Sequence, residues 1–306
     1  MAHIPLSDTA FEGVRLMGRR PLAVLAWAAV MFVATALPVA LFFGTMAPAF
    51  VDIMRHSVDG PQPSPVDMMN LQLRWMAVNG PLMLCSLVAK AVLMCAVFRA
   101  VLRPEQRRFG YLRLGMTEVL VGLVYLCVAI LIFMASCAGM VVMLGFTIAG
   151  AFASKGAAVG IALVLAVALA VLLGWLIVRL ALALPMTFDD GRFRMFEAWQ
   201  LSKGHALELF FVWLLAFAVV LVIELVIGSV IGFTAIGVIA GHASAAGGAS
   251  SAFHRPAAEW IGQLAPWMLL GGAVLALFGA AAMVIMYAPL AAAYRLLSAP
   301  EPQATV

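Results

Sequence analysis

The sequence predicts an all-α polytopic membrane protein: six transmembrane helices arranged as three hairpins, each preceded by an interfacial amphipathic helix. Three observations predict it. The chain has 306 residues, of which 65% are hydrophobic and 10% charged, whereas soluble domains carry roughly 45–50% apolar and roughly 25% charged residues. Its apolar residues gather into runs long enough to cross a bilayer. A short polar–aromatic motif also recurs ahead of alternate runs. A soluble fold of this size has too few polar groups to cover its exterior at this composition. That excludes a soluble enzyme, a nucleic-acid reader and a disordered chain.

A spanning helix needs about 20 mostly apolar residues. Six stretches qualify, at 22–44, 77–102, 118–146, 159–184, 208–236 and 266–292. The first is too long for a signal-peptide core and reads as an uncleaved anchor, with Arg19 and Arg20 holding its end at the lipid surface. The third and fifth exceed what a bilayer requires, so tilt or projection past the lipid is expected, or breaks near Gly139 and Gly145 and near Gly228, Gly232 and Gly237. Asn79-Gly80-Pro81 reads as the start of the second span at Pro81, with a break that lines a cavity at its outer end as the alternative.

Lys and Arg placement sets orientation. With the N-terminus inside, the cytoplasmic segments collect 13 basic residues, among them Arg15, Arg99, Arg113, Arg179 and Arg295. The outer segments hold 4, namely Arg55, Arg74, Lys155 and Arg255. This predicts cytoplasmic N- and C-termini. Residues 46–75, with Pro61, Pro63 and Pro65, read as a polar outer loop, and 241–257 as a small-residue loop. His242 and His254 fall there without a third ligand, so no metal site is expected. Cys85, Cys95, Cys127 and Cys137 lie in apolar runs with no C-x-x-C spacing and read as packing residues.

The repeat is the most informative feature. Phe11, Glu12 and Leu16 precede the first span, and Phe196, Glu197 and Leu201 precede the fifth at a constant offset of 185. Phe109 to Glu118 is a looser version before the third. Phe11, Val14 and Met17 make an apolar stripe beside Glu12, Arg15 and Arg19, and Thr9-x-x-Glu12 fits a capping box. Such helices lie in the interface with arginines toward the headgroups. The even spans end alike: Arg99 before Pro104, Arg179 before Pro185 and Arg295 before Pro300. Each Arg is expected to snorkel to the inner interface and meet the negative end of its helix. One membrane domain, 1–306, therefore divides into units 1–103, 104–190 and 191–306.

Within this repeat, Arg179, Pro185, Gly191, Ala198, Ser202 and Gly204 read as R-x5-P-x5-G-x6-A-x3-S-x-G. The stretch resembles bacterial six-helix membrane proteins of the YciC type and the membrane domain associated with glycerophosphodiester phosphodiesterases. The likeness covers about thirty residues. It implies an inner-membrane location. These 306 residues contain no phosphodiesterase barrel, so the resemblance carries no hydrolytic residues.

Ionisable groups deep in lipid are site hypotheses by default. Lys90 and Glu224 lie near the middle of the second and fifth spans, at about 16 and 21 Å from their inner ends by helix rise. The expectation is an intramembrane ion pair that locks two helices, with a proton or ion relay as its functional alternative. Glu118 reads as a headgroup-level residue near Arg113. Asp189-Asp190-Gly191 reads as a turn and helix N-cap. Gly156-x-x-x-Gly160 and Gly228-x-x-x-Gly232 permit close helix approach. No nucleophile–base–oxyanion set and no phosphate loop can be assembled, so no catalytic residue and no cofactor are expected.

Two functions follow from different classes. One is a non-catalytic inner-membrane protein in membrane or envelope organisation, or a partner-binding subunit, with the bilayer, a membrane protein or a second copy as partner and no nucleic acid. The other is a small permease or channel whose polar path passes Lys90 and Glu224.

Overall fold

The computed structural model describes residues 5–59, 64–106, 108–245 and 257–298. Among them the chain is helical, with no strand. In order the helices are α1 (Leu6–Ala10), α2 (Glu12–Arg19), α3 (Pro21–Asp59), α4 (Pro65–Leu102), α5 (Met116–Ala153), α6 (Lys155–Ala181), α7 (Ala183–Asp190), α8 (Glu197–Leu201), α9 (Ala206–Ala245) and α10 (Ala257–Ser298). A 3-10 turn, Arg108–Tyr111, stands between α4 and α5. Among the described residues five helices are long and apolar enough to cross a membrane, or up to six if the bent pair Glu12–Arg19 and Pro21–Ala36 is one span. The chain is a multi-pass membrane protein by this measure.

Several local expectations change. Residues 46–59 and 65–75 continue α3 and α4 rather than forming a loop, and Pro61 and Pro63 lie outside the described residues. α4 starts at Pro65, not Pro81, because Ser64 caps it. The Ser64 hydroxyl accepts from the Asp67 N–H at 3.2 Å while Asp67 Oδ2 accepts from the Ser64 N–H at 3.2 Å. This reciprocal cap, with Pro at the first helical position, outweighs Pro81 as a start signal. α5 and α9 run without a break through the glycines at which interruption is expected. A helix of 38 residues such as α5 is about 57 Å long by its rise, well beyond a hydrocarbon core of roughly 30 Å. Residues 241–245 of the expected small-residue loop continue α9, while 246–256, with His254 and Arg255, and also Pro300 lie outside the described residues.

The amphipathic repeat is realised unequally. α2 is an eight-residue helix, its counterpart α8 has five residues, and the middle copy is the 3-10 turn followed by irregular chain up to α5. Gly110 and Tyr111 take φ of 64° and 68°, which prevents a regular helix there. Thr9 lies inside α1, and α2 begins at Glu12, so the capping box at Thr9 does not mark the helix start.

α5 and α6 form a hairpin joined through Ser154 alone, whose hydroxyl accepts from the Ala157 N–H at 3.0 Å and caps α6. Gly139 faces Leu169 and Gly150 faces Ala158 and Ile161, so the two helices close without Cβ atoms at these contacts.

The chain divides into two compact units. One comprises the described parts of Met1–Arg19, Ala91–Ala218 and Val284–Val306. Its centre is α4 from Ala91 to Val101, buried on all sides and apolar except for Arg99. Phe98, Val121, Val124, Leu182, Phe188 and Ile285 are almost wholly buried there. Gly13 of α2 lies against the backbone of Ile285. The other unit comprises the described parts of Arg20–Lys90 and Val219–Met283. In it Trp27 is buried, and Met31 and Phe32 of α3 pack toward Gly279 and Gly272 of α10.

Candidate functional site

The first unit holds a cluster of charged side chains at the ends of its helices. It starts from Arg99 in the last turn of α4. Arg99 does not snorkel to the interface as expected: it is buried and pairs with Glu118 in the first turn of α5, with side-chain exposures of 7% and 4%. A second Arg99 nitrogen donates to the Tyr111 carbonyl at 2.5 Å. The left-handed conformation of Gly110 and Tyr111 turns that carbonyl toward the helix end. Glu118 is therefore not a headgroup-level partner of Arg113, which is exposed. Two charges removed from water require each other and further hydrogen bonds to be tolerated, and this pair has both.

One turn on, Arg103 donates to the Asp189 carbonyl at 2.9 Å and to its Oδ1 at 3.2 Å. The Tyr294 hydroxyl of α10 donates to Asp189 Oδ2 at 3.3 Å. Asp189 thus ties α4, α7 and α10 at one carboxylate. Both arginines also lie over the Phe188 ring, at 5.4 Å for Arg99 and 5.5 Å for Arg103, within cation–π range. Phe188 meets Phe98 at 5.9 Å, and Phe98 meets Tyr287 edge-on at 6.2 Å. Asp190 pairs with Arg194, which also reaches Glu197 at 2.8 Å. Asp189 and Asp190 end α7 rather than cap the next helix. Gly191, at φ 63°, is its C-cap and donates to the Thr187 carbonyl.

The R-x5-P-x5-G-x6-A-x3-S-x-G residues form one local structure. Arg179 ends α6 and donates to the Ser202 hydroxyl at 3.4 Å. Its guanidinium stands 5.6 Å from the Trp175 ring and 5.5 Å from the Trp199 ring, which meet edge-on at 4.9 Å. Pro185 sits in the first turn of α7, where its missing N–H is tolerated, so a helix resumes rather than stops there. Ala198 and Ser202 are fully buried. Gly191 and Gly204 both take positive φ, 63° and 87°, at the two turns that flank α8.

Lys90 and Glu224 are not brought together. Both are exposed, and among the described residues neither forms an ion pair or hydrogen bond. Rise along a helix fixes depth and leaves azimuth open, so similar depth does not put two side chains face to face. Arg19 and Arg295 are exposed and Arg20 is half-buried. The four cysteines are free, with Cys95 buried, Cys127 half-buried and Cys85 and Cys137 exposed.

No family model, no curated protein and no solved structure matches this chain.

Proposed function

We propose that the protein is a non-catalytic component of the bacterial inner membrane, organising the membrane or envelope or holding a partner as a subunit. The observation that carries this reading is the use of its charged groups. Arg99–Glu118, Arg103–Asp189 and Arg194 with Asp190 and Glu197 pair inside the chain at helix ends. Groups engaged in this way hold helices in place and are poorly suited to proton transfer or nucleophilic attack. The R-x5-P-x5-G-x6-A-x3-S-x-G stretch supports kinship with YciC-type proteins. The 13-to-4 basic bias supports cytoplasmic termini, and the Arg–Pro spacings support three hairpins with interfacial helices on the cytoplasmic side. Cross-linking in native membranes with mass spectrometry tests the reading, alongside solute and ion flux in liposomes. It expects a stoichiometric partner or a second copy and no flux; a selective flux would overturn it.

The second reading is a small permease or channel. It is favoured by Lys90 and Glu224, two exposed charges far from the helix ends without a partner among the described residues. Intramembrane charges left in this state commonly line a wet path. On this reading Lys90→Met and Glu224→Gln each abolish flux, while on the first neither has flux to abolish.

A further inference from the structure

The arginines that end α4 and α6 differ in one respect. Arg99 has Glu118 and Arg103 has Asp189, whereas no carboxylate among the described residues lies within ion-pair distance of Arg179. Arg179 is half-buried, so its charge is partly withdrawn from water without being neutralised. Its hydrogen bonding is incomplete. One nitrogen makes the long 3.4 Å bond to Ser202, and Nε is enclosed with no acceptor. The described residues supply its other donors with nothing. A guanidinium is a planar fork of donors matched to phosphate geometry and cannot shed its charge.

The surroundings define the anion. Trp175 and Trp199 flank the guanidinium, and Trp is one of the side chains enriched at the membrane interface, where its amphipathic ring sits at headgroup level. Lys203 is exposed and next in sequence to Ser202, the hydroxyl that Arg179 meets. Back along α6 the surface turns apolar and open: Trp175 is 44% exposed and Val171 67%. A free anion has no use for that surface; an acyl chain does.

We infer that Arg179, with Lys203, binds the phosphate of an anionic phospholipid headgroup, while Trp175 and Val171 receive its acyl chain. The site goes beyond the organising role proposed above and does not depend on it. A basic side chain near an anionic surface contributes about 1 kcal/mol, which is roughly a fivefold preference.

The test uses the full chain in nanodiscs of phosphatidylcholine with or without phosphatidylglycerol, and in detergent with inorganic phosphate. Wild type should be thermally stabilised by phosphatidylglycerol beyond phosphatidylcholine, and inorganic phosphate should not reproduce the gain. Arg179→Gln should lose most of the gain, and Arg295→Gln, an exposed arginine at the same repeat position, should keep it. A second measurement needs no variant: brominated phosphatidylglycerol should quench tryptophan fluorescence more strongly than brominated phosphatidylcholine at equal fraction. Equal stabilisation or equal quenching by the two lipids overturns the lipid site. So does an Arg179→Gln protein that keeps the full gain. A gain matched by phosphate alone makes it a free-anion site and overturns the lipid assignment.

Discussion

Gly13 of α2 lies against the backbone of Ile285 in α10, so closely that an added Cβ would stand 2.7 Å from Ile285 Cα and 2.8 Å from the Val284 carbonyl oxygen. Backbone atoms cannot move aside as a side-chain tip can. Gly13→Ala should therefore lower stability by about 1–3 kcal/mol, the usual effect of overpacking. Gly18→Ala, five residues on in the same helix and with nothing within 4 Å of the added atom, should be neutral or gain a few tenths from about 0.5–1 kcal/mol of helix propensity. Thermal unfolding of both variants in one detergent makes the comparison. Equal melting temperatures would mean that α2 does not dock on α10 through Gly13.

Gly191 and Gly204 pose the opposite problem. Nothing lies within 4 Å of an added Cβ at either, but their φ values of 63° and 87° are left-handed. Gly191→Ala and Gly204→Ala should each destabilise by about 1–2 kcal/mol through backbone conformation alone. Gly191→Asn should be milder, since Asn visits this region more readily. If Ala and Asn behave identically at 191, backbone conformation is not what selects glycine there.

Lys90 and Glu224 should not be coupled. With no contact between them, Lys90→Met and Glu224→Gln should shift stability additively, within about 0.3–0.5 kcal/mol in the double variant. A coupling well above that in a thermal-unfolding cycle would restore the ion pair that similar depth suggests.

The proposed cytoplasmic orientation of both termini makes a direct prediction. Reporter fusions at residue 1 and at residue 306 should both report from the cytoplasm, as the distribution of Lys and Arg requires. A periplasmic signal from either end contradicts that orientation.

The helices were legible in the sequence because hydropathy over a bilayer-length window is a strong signal: five of the six apolar runs lie within one helix, and 159–184 runs from α6 into α7. Their ends were less so. Hydropathy measures what lipid accepts, and a helix continues into water wherever its backbone bonds and caps allow, as α4 does back to Ser64. Gly191 and Gly204 stood out as fixed points of a spaced motif, and both meet a real backbone demand. The partner of Glu118 was hidden. Arg113 is five residues away in sequence and Arg99 is nineteen away, and only the left-handed turn at Gly110 and Tyr111 brings the distant one in. Gly13 had no sequence signal of its own among 26 glycines.

The buried charges at these helix ends hold the helices together, and the Arg99–Glu118 pair tests this most directly. A double-mutant cycle with Arg99→Met, Glu118→Gln and both together, read by thermal unfolding in nanodiscs, isolates the pair from its surroundings. Each single change orphans a side chain that is 4–7% exposed in the native protein, and such a loss costs about 3–5 kcal/mol. The double variant should recover much of that, though not the part owed to the Tyr111 carbonyl, which loses its Arg99 donor. Losses that simply add would contradict the account: the two charges would then act independently, and neither would be the lock between α4 and α5.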